Sequence, residues 1–359
     1  SFGGGTDDYY LASAFDEIWM QPNTEIGITG LNIEVPFLKG LLDKVGIMAE
    51  FYARHEYKNA AASFLNSAFT PQYREETERL GQSLYDRIVA DVCADRKLDE
   101  NIFRRLVNRA PLSADEGLKE GLIDKTAFKP DLLEKVLDET KGEMIDVYDY
   151  AYSLEESGKK LPTIAFLVVD GTISGGKSLS NPLQGESIVG SETLIQQLDE
   201  IANNKYVKAL LLRINSPGGS YTASAEIWNA LSRLKEKRKL PIVVSMGDYA
   251  ASGGYFIALP GDKILAEAST VTGSIGVLGG KMVLAGLWDK LEINWGEVKF
   301  GDNAGILSAN HKFSEREKEV FNRSLDNVYR DFTAKVAAAR NISPEKMDKL
   351  ARGRVWTGI

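Results

Sequence analysis

The chain has 359 residues, 43% hydrophobic and 26% charged, enough for two domains with cores of their own. Its net charge is −8, and no basic block interleaved with aromatics occurs, which argues against nucleic acid as a partner. One cysteine, Cys93, excludes an intrachain disulfide, and with only His55 and His311 beside it neither a zinc centre nor any other cofactor is expected.

The amino-terminal "SFGGGTDDYY" is neither a signal peptide nor a transit peptide and reads as a cut end or a disordered leader. The carboxyl-terminal "RGRVWTGI" also stops abruptly. Native segments, with any membrane anchor, are therefore expected to lie outside this sequence. Within it no apolar run reaches the ~18 residues of a transmembrane helix.

Comparing the chain with itself exposes a repeat. "LKGLLDK" at 38–44 returns as "LAGLWDK" at 284–290, so that Asp43 and Asp289 lie 246 apart (289 − 43). At that spacing Asp16, Ile18, Gly27 and Gly30 match Asp262, Ile264, Gly273 and Gly276. Two residues tighter, at 244, Phe69-Thr70 matches Phe313-Ser314 and Tyr85 matches Tyr329, each within or before a long charged helical run. Two copies of one α/β unit follow. The first is partial at its amino terminus and spans 1–130, a helical linker spans 131–160, and the second copy spans 161–359. In the second copy, "TIAFLVV" (163–169), "KALLLRI" (208–214) and "PIVVSM" (241–246) have the length and composition of buried strands. Amphipathic helices over 190–203 and 222–238 separate them, which predicts a parallel sheet.

Two turns follow these strands. In "RINSPGGS" (213–220), Pro217 fixes φ, and Gly218-Gly219 permit positive φ and leave N–H groups facing outward as an anion cradle. A plain strand-to-helix turn fits equally well. In "GDYAASGGYFIA" (247–258), Ser252 stands where a helix begins, as an N-cap does. Yet Gly253-Gly254 oppose helix propensity, and the carboxyl end of a parallel strand is where open α/β sheets bind ligands.

A nucleophilic serine needs a base. His55 and His311 sit in no recognisable motif, whereas a desolvated lysine takes a proton near neutral pH. In the repeat, Asn59-Ala60 matches Asn303-Ala304, which puts Lys58 opposite Asp302; Ser252 falls opposite Thr6. Each copy thus holds half of a Ser–Lys pair. A solvated surface lysine is the ordinary alternative for Lys58.

"INSPGGS", "MGDYAASGGYFIA", "TGSIGV", the segment around "HEYKNAAASF", and "GRVWTG", in the order of the family, resemble signal peptide peptidase A, the protease IV family of serine peptidases, over nearly the whole chain. The resemblance implies a Clp-protease/crotonase-like spiral in each copy. It implies Ser252 as nucleophile, Lys58 as general base, Ser274 as the residue that orients the lysine, and Gly218 and Gly253 as oxyanion-hole donors. It further implies bowl-shaped homotetramers associated with a membrane, expected on the periplasmic side of a bacterial inner membrane, that degrade signal-peptide remnants and other apolar peptides. A crotonase-like acyl-CoA enzyme would use the same glycine cradle without the Ser–Lys pair. An inactive peptide-binding scaffold would leave Ser252 unreactive.

Overall fold

The computed structural model describes residues 4–153, 161–181 and 186–359. The suggested leader at 1–3 and the end of the linker at 154–160 lie outside the described residues. The chain opens with helix α1 (Thr6–Ser13), short strands β1 (Trp19–Met20) and β2 (Glu25–Ile26), helix α2 (Lys39–Val45), strand β3 (Met48–Arg54) and a helical turn α3 (Ala62–Leu65). The long helix α4 (Pro71–Arg96) and α5 (Glu100–Arg109) follow, then β4 (Leu112–Ser113), α6 (Ala114–Lys119) and β5 (Lys125–Thr126). Helices α7 (Lys129–Thr140) and α8 (Val147–Ser153) occupy the expected linker.

The remaining chain runs β6 (Thr163–Asp170), β7 (Thr172–Ser174), β8 (Leu179–Asn181), β9 (Glu186–Gly190), α9 (Ser191–Asn203), β10 (Val207–Ser216), α10 (Tyr221–Arg238) and β11 (Ile242–Ala251). After these come α11 (Gly253–Ala258), β12 (Lys263–Leu265), β13 (Val271–Gly273), β14 (Val277–Val283), α12 (Ala285–Lys290), α13 (Glu315–Arg340), α14 (Pro344–Leu350) and β15 (Val355–Trp356).

The internal repeat is visible in this succession. Helices α4 and α13 are both 26 residues long. They start at the matched caps: the Tyr73 N–H donates to Thr70 Oγ1 and the Glu317 N–H to Ser314 Oγ. Asp99 and Ser343, 244 apart (343 − 99), cap α5 and α14 in the same way. Even ladder register repeats: Ile26 pairs with Leu112 in antiparallel β2 and β4, and Thr272 with Trp356 in antiparallel β13 and β15.

Two compact units form, and they do not follow the two copies. One comprises 1–33 and 81–160, with a core of Ile28, Val89, Phe103, Leu106 and Leu122. The other comprises 34–80 and 161–359, so the segment with α2, β3 and Lys58 packs with the second copy. In this second unit a six-stranded sheet runs β15-β13-β11-β10-β6, with β12 also on β11. It is parallel except for β15. Leu210, Leu212 and Ile214 of β10 and Ile242 and Val244 of β11 are buried with Ile227 and Leu231 of α10 in its core. A second cluster gathers Phe256, Phe332, Val336 and Met347 from α11, α13 and α14. Strand β3 crosses to pair antiparallel with β14 over seven residues, Arg54 opposite Val277. Among the described residues no helix is long and apolar enough to cross a membrane.

Candidate active site

The sequence-predicted site residues converge within the second unit. Strand β10 ends at Ser216, fully buried, whose hydroxyl donates to the Gly171 carbonyl at 2.6 Å and accepts the Gly218 N–H at 3.2 Å. Gly218 and Gly219 have φ of 101° and 150°, which suits glycine alone. Their turn is fixed against β7: the Ile173 N–H donates to the Gly218 carbonyl, and the Ser220 N–H to that of Ile173, both at 2.8 Å. A Cβ on Gly218 would lie 2.6 Å from the Gly253 nitrogen and 2.8 Å from Ser252 Cβ.

Strand β11 runs to Ala251, five residues past the apolar run read as a strand, because Tyr249–Ala251 gain a second parallel partner in β13. The chain then turns sharply into α11 at Ser252, with φ 52° and ψ −118°. Such a backbone is held only where its surroundings over-determine it. Here the Ser252 N–H donates to the Gly273 carbonyl at 2.8 Å, and its carbonyl accepts the Phe256 N–H at 2.9 Å. Ser252 occupies the N-cap position, yet its side chain caps nothing. The flanking glycines admit the chain's own neighbours: a Cβ on Gly253 would meet Ser224 Oγ of α10 at 2.4 Å, and one on Gly254 the Ser216 carbonyl oxygen at 2.6 Å.

The Ser252 hydroxyl instead faces Lys58. The Lys58 Nζ lies 3.0 Å from Ser252 Oγ, 2.8 Å from Ser274 Oγ and 2.9 Å from the Ser274 carbonyl oxygen. Burial pushes the Lys58 ammonium down to about 8, against the opposing pull of the Glu76 carboxylate. Ser274 sits at φ 50°, its N–H donating to the Arg354 carbonyl at 2.8 Å. The Lys58 backbone rests on Gly353, where a Cβ would approach Lys58 Cβ and nitrogen to 2.6 Å. A cavity of about 420 Å³ opens over these groups, walled by Tyr221, Phe256, Leu278, Val328 and Phe332.

The other candidate bases lie elsewhere. His55 packs at a tilt against the Tyr329 ring, and His311 shares an exposed cluster with Lys299 and Glu297. No group of residues fit to hold a metal occurs among the described residues. Sequence reasoning missed Glu76 and the Arg352–Val355 stretch that backs Lys58 and Ser274. The signal available was "GRVWTG", noted as a motif but not connected with the lysine.

Residues 4–142 and 234–359 match the model of peptidase family S49, and residues 186–271 that of Clp protease. The chain is 31% identical to a chloroplastic serine protease SPPA of Arabidopsis thaliana, over 99% of this chain and 53% of the relative. It is also 31% identical to Protease 4 of Salmonella typhi, over 98% of this chain and 57% of that one. With a protein of Enterococcus faecium named as a signal peptide peptidase SppA it shares 36% identity, over 56% of this chain and 58% of the other. The chain thus spans little more than half the length of these relatives.

Proposed function

This chain belongs to peptidase family S49, and from that premise we propose that it is a serine endopeptidase working through a Ser252–Lys58 dyad. The observation that carries this reading is the 3.0 Å approach of a buried, pKa-lowered lysine to a serine on a strained strand-to-helix turn. Neutral Lys58 takes the Ser252 hydroxyl proton as Oγ attacks a peptide carbonyl, and returns it to the leaving amine. Lys58, neutral again, then takes a proton from water as the water attacks the acyl-enzyme, and passes it to Ser252 Oγ as the acyl group leaves. Ser274 orients the lysine by accepting from Nζ with hydroxyl and carbonyl. The tetrahedral oxyanion is held by the Gly253 N–H, one of the unpaired donors at the start of α11, and by the Gly218–Gly219 turn. Because the Gly218 N–H already meets Ser216 Oγ, that of Gly219 is the second candidate in this turn.

The apolar cavity walls suit hydrophobic, unfolded peptides, signal-peptide remnants among them, met at a membrane on the periplasmic side of a bacterial inner membrane. A crotonase-like acyl-CoA role or an inert scaffold would give no reason for a buried lysine to meet Ser252. The chain also assembles with copies of itself, as a tetramer. Strand β3 pairs with β14, but the stretches in their places in the opposite copies, about 293–300 and 31–37, form no strand. They leave Trp295, Val298, Phe300, Leu31 and Ile33 exposed. Pairing one chain's 293–300 with the next chain's 31–37 would repeat the β3–β14 ladder between molecules.

Hydrolysis of an unfolded protein and of an apolar signal-like peptide tests the dyad. Ser252→Ala and Lys58→Ala should each lose at least about 10³-fold in kcat while retaining the wild-type circular dichroism spectrum. A folded Lys58→Ala with near-normal kcat would hand the base to a group other than Lys58 and overturn the dyad. Absence of Ser252 labelling by a serine-reactive probe would favour the scaffold.

A further inference from the structure

Glu76, on α4, is only 7% exposed, and both its carboxylate oxygens are engaged. Oε2 accepts from Asn59 Nδ2 at 2.9 Å, and Oε1 accepts the Val355 N–H at 2.8 Å. Asn59 directly follows Lys58. Val355 is the ladder partner of Gly273, whose carbonyl receives the Ser252 N–H. The residue before Val355, Arg354, accepts the Ser274 N–H. One carboxylate therefore joins the loop carrying the lysine to the strand pair that fixes both serines.

We propose that Glu76 is a positioning residue of the reaction, clamping the Lys58 loop to β15 so that Nζ is held at Ser252 Oγ and the site keeps one compensating negative charge. The proposal rests on Lys58 being the base. The repeat supports it independently. At the 244-residue spacing Glu76 corresponds to Val320, in the copy where Asp302 replaces the lysine. There Asn303, the counterpart of Asn59, has valine at the slot of its carboxylate partner. The carboxylate is present where the lysine is present and absent where it is absent.

The surrounding charges have other partners. On α4, Glu75 binds Arg354 and the Tyr57 hydroxyl, Arg79 lies over the Trp356 ring, and Tyr73 is pushed up by burial and by Glu76 itself. On the lysine segment, Glu56 pairs with Arg352, and His55 packs on Tyr329. From the carboxyl-terminal stretch, Arg354 is the cation that acts on Glu76 besides Lys58. Glu76 is thus the carboxylate left to offset the buried ammonium, and its own pKa is raised by burial against those two cations and its two hydrogen bonds.

The test compares Glu76→Ala, Glu76→Gln and Lys58→Ala in the full chain, as pH profiles of kcat and kcat/KM on the apolar peptide. Glu76→Ala should lose about 10²-fold in kcat, the cost of a misplaced reacting group, with KM changed less than about threefold. Glu76→Gln retains a carbonyl for the Val355 N–H, and its amide donates to Asn59 once that side chain turns to present Oδ1 in place of Nδ2. It should recover most of kcat, while the acidic limb moves to lower pH, because removing the negative charge lowers the Lys58 pKa further. Wild-type kcat and an unshifted limb in both variants, with Lys58→Ala inactive, would overturn the positioning role alone. An active Lys58→Ala would overturn the dyad and this proposal together. Should Glu76→Ala fail to fold, the limb of Glu76→Gln decides: shifted, the proposal stands; unshifted, it falls.

Discussion

A lysine ammonium enclosed by Ser252, Ser274 and the Gly353 backbone is disfavoured relative to water. Its pKa therefore falls from 10.5 to about 8 on folding. Between those values the unfolded chain binds one more proton than the folded one, so this group makes stability rise with pH across that window and withholds it below pH 8. Lys58→Met should thus be inactive yet more stable at pH 7, by about 1–3 kcal/mol, with the gain shrinking towards pH 10. Denaturant unfolding at the two pH values checks this; a destabilised variant at pH 7 would mean that the contacts with Ser274 outweigh the desolvation. Ser252 and Lys58 stood out in the sequence as candidates through a glycine-flanked turn and the complementary gaps of the repeat, whereas Ser274 entered only through the family resemblance. Glu76 did neither. It is one of three acidic residues in "REETER", and what distinguishes it is burial under Val355, 279 residues away.

Apolar runs of strand length announced β6, β10 and β11, although β6 buries only one face and leaves Ile164, Phe166 and Val168 exposed, and charged helical runs announced α4 and α13, whose apolar stripe writes a period into the sequence. Strand β3 carries no such mark. "MAEFYAR" is half-polar, and it becomes a strand only through its seven-residue ladder with β14, more than two hundred positions on. That ladder aims the Lys58 loop at the sheet, and it depends on close backbone approach. A Cβ at Gly280 would meet the Glu50 carbonyl oxygen at 2.2 Å and Phe51 Cα at 2.5 Å. Gly280→Val should therefore push β3 away, lowering kcat by at least about tenfold and stability by about 1–3 kcal/mol. The core below β10 and β11 should hold, so Ser252 should still react slowly with a small fluorophosphonate. Wild-type turnover in this variant would show that the ladder does not set the lysine's place.

Duplication gives a reason for the proposed Ser252–Lys58 site to draw on both copies. A single ancestral unit with serine on one turn and lysine on a later loop must send that loop to a neighbouring unit if the two cannot meet within it. The tandem chain does this internally: 34–80 leave the first copy and pack with the second. The same logic leaves two loose ends, 293–300 without a β14 to join and 31–37 without a β3 to receive. Their Trp295, Val298, Phe300 and Ile33 are exposed, and exposed apolar side chains on backbone outside any strand invite pairing with another chain. Head-to-tail pairing between copies closes into a ring when the rotation per step divides a full turn. A Val298→Asp/Phe300→Asp double variant should consequently run as a monomer in light scattering where the wild type is oligomeric. Its hydrolysis of short peptides should stay within about threefold, because Lys58 and Ser252 meet inside one chain and small substrates need no enclosing wall. An unchanged oligomer would place the interface elsewhere. A monomer inert towards short peptides would mean that the neighbouring copy, and not the chain's own packing, holds the lysine loop in place.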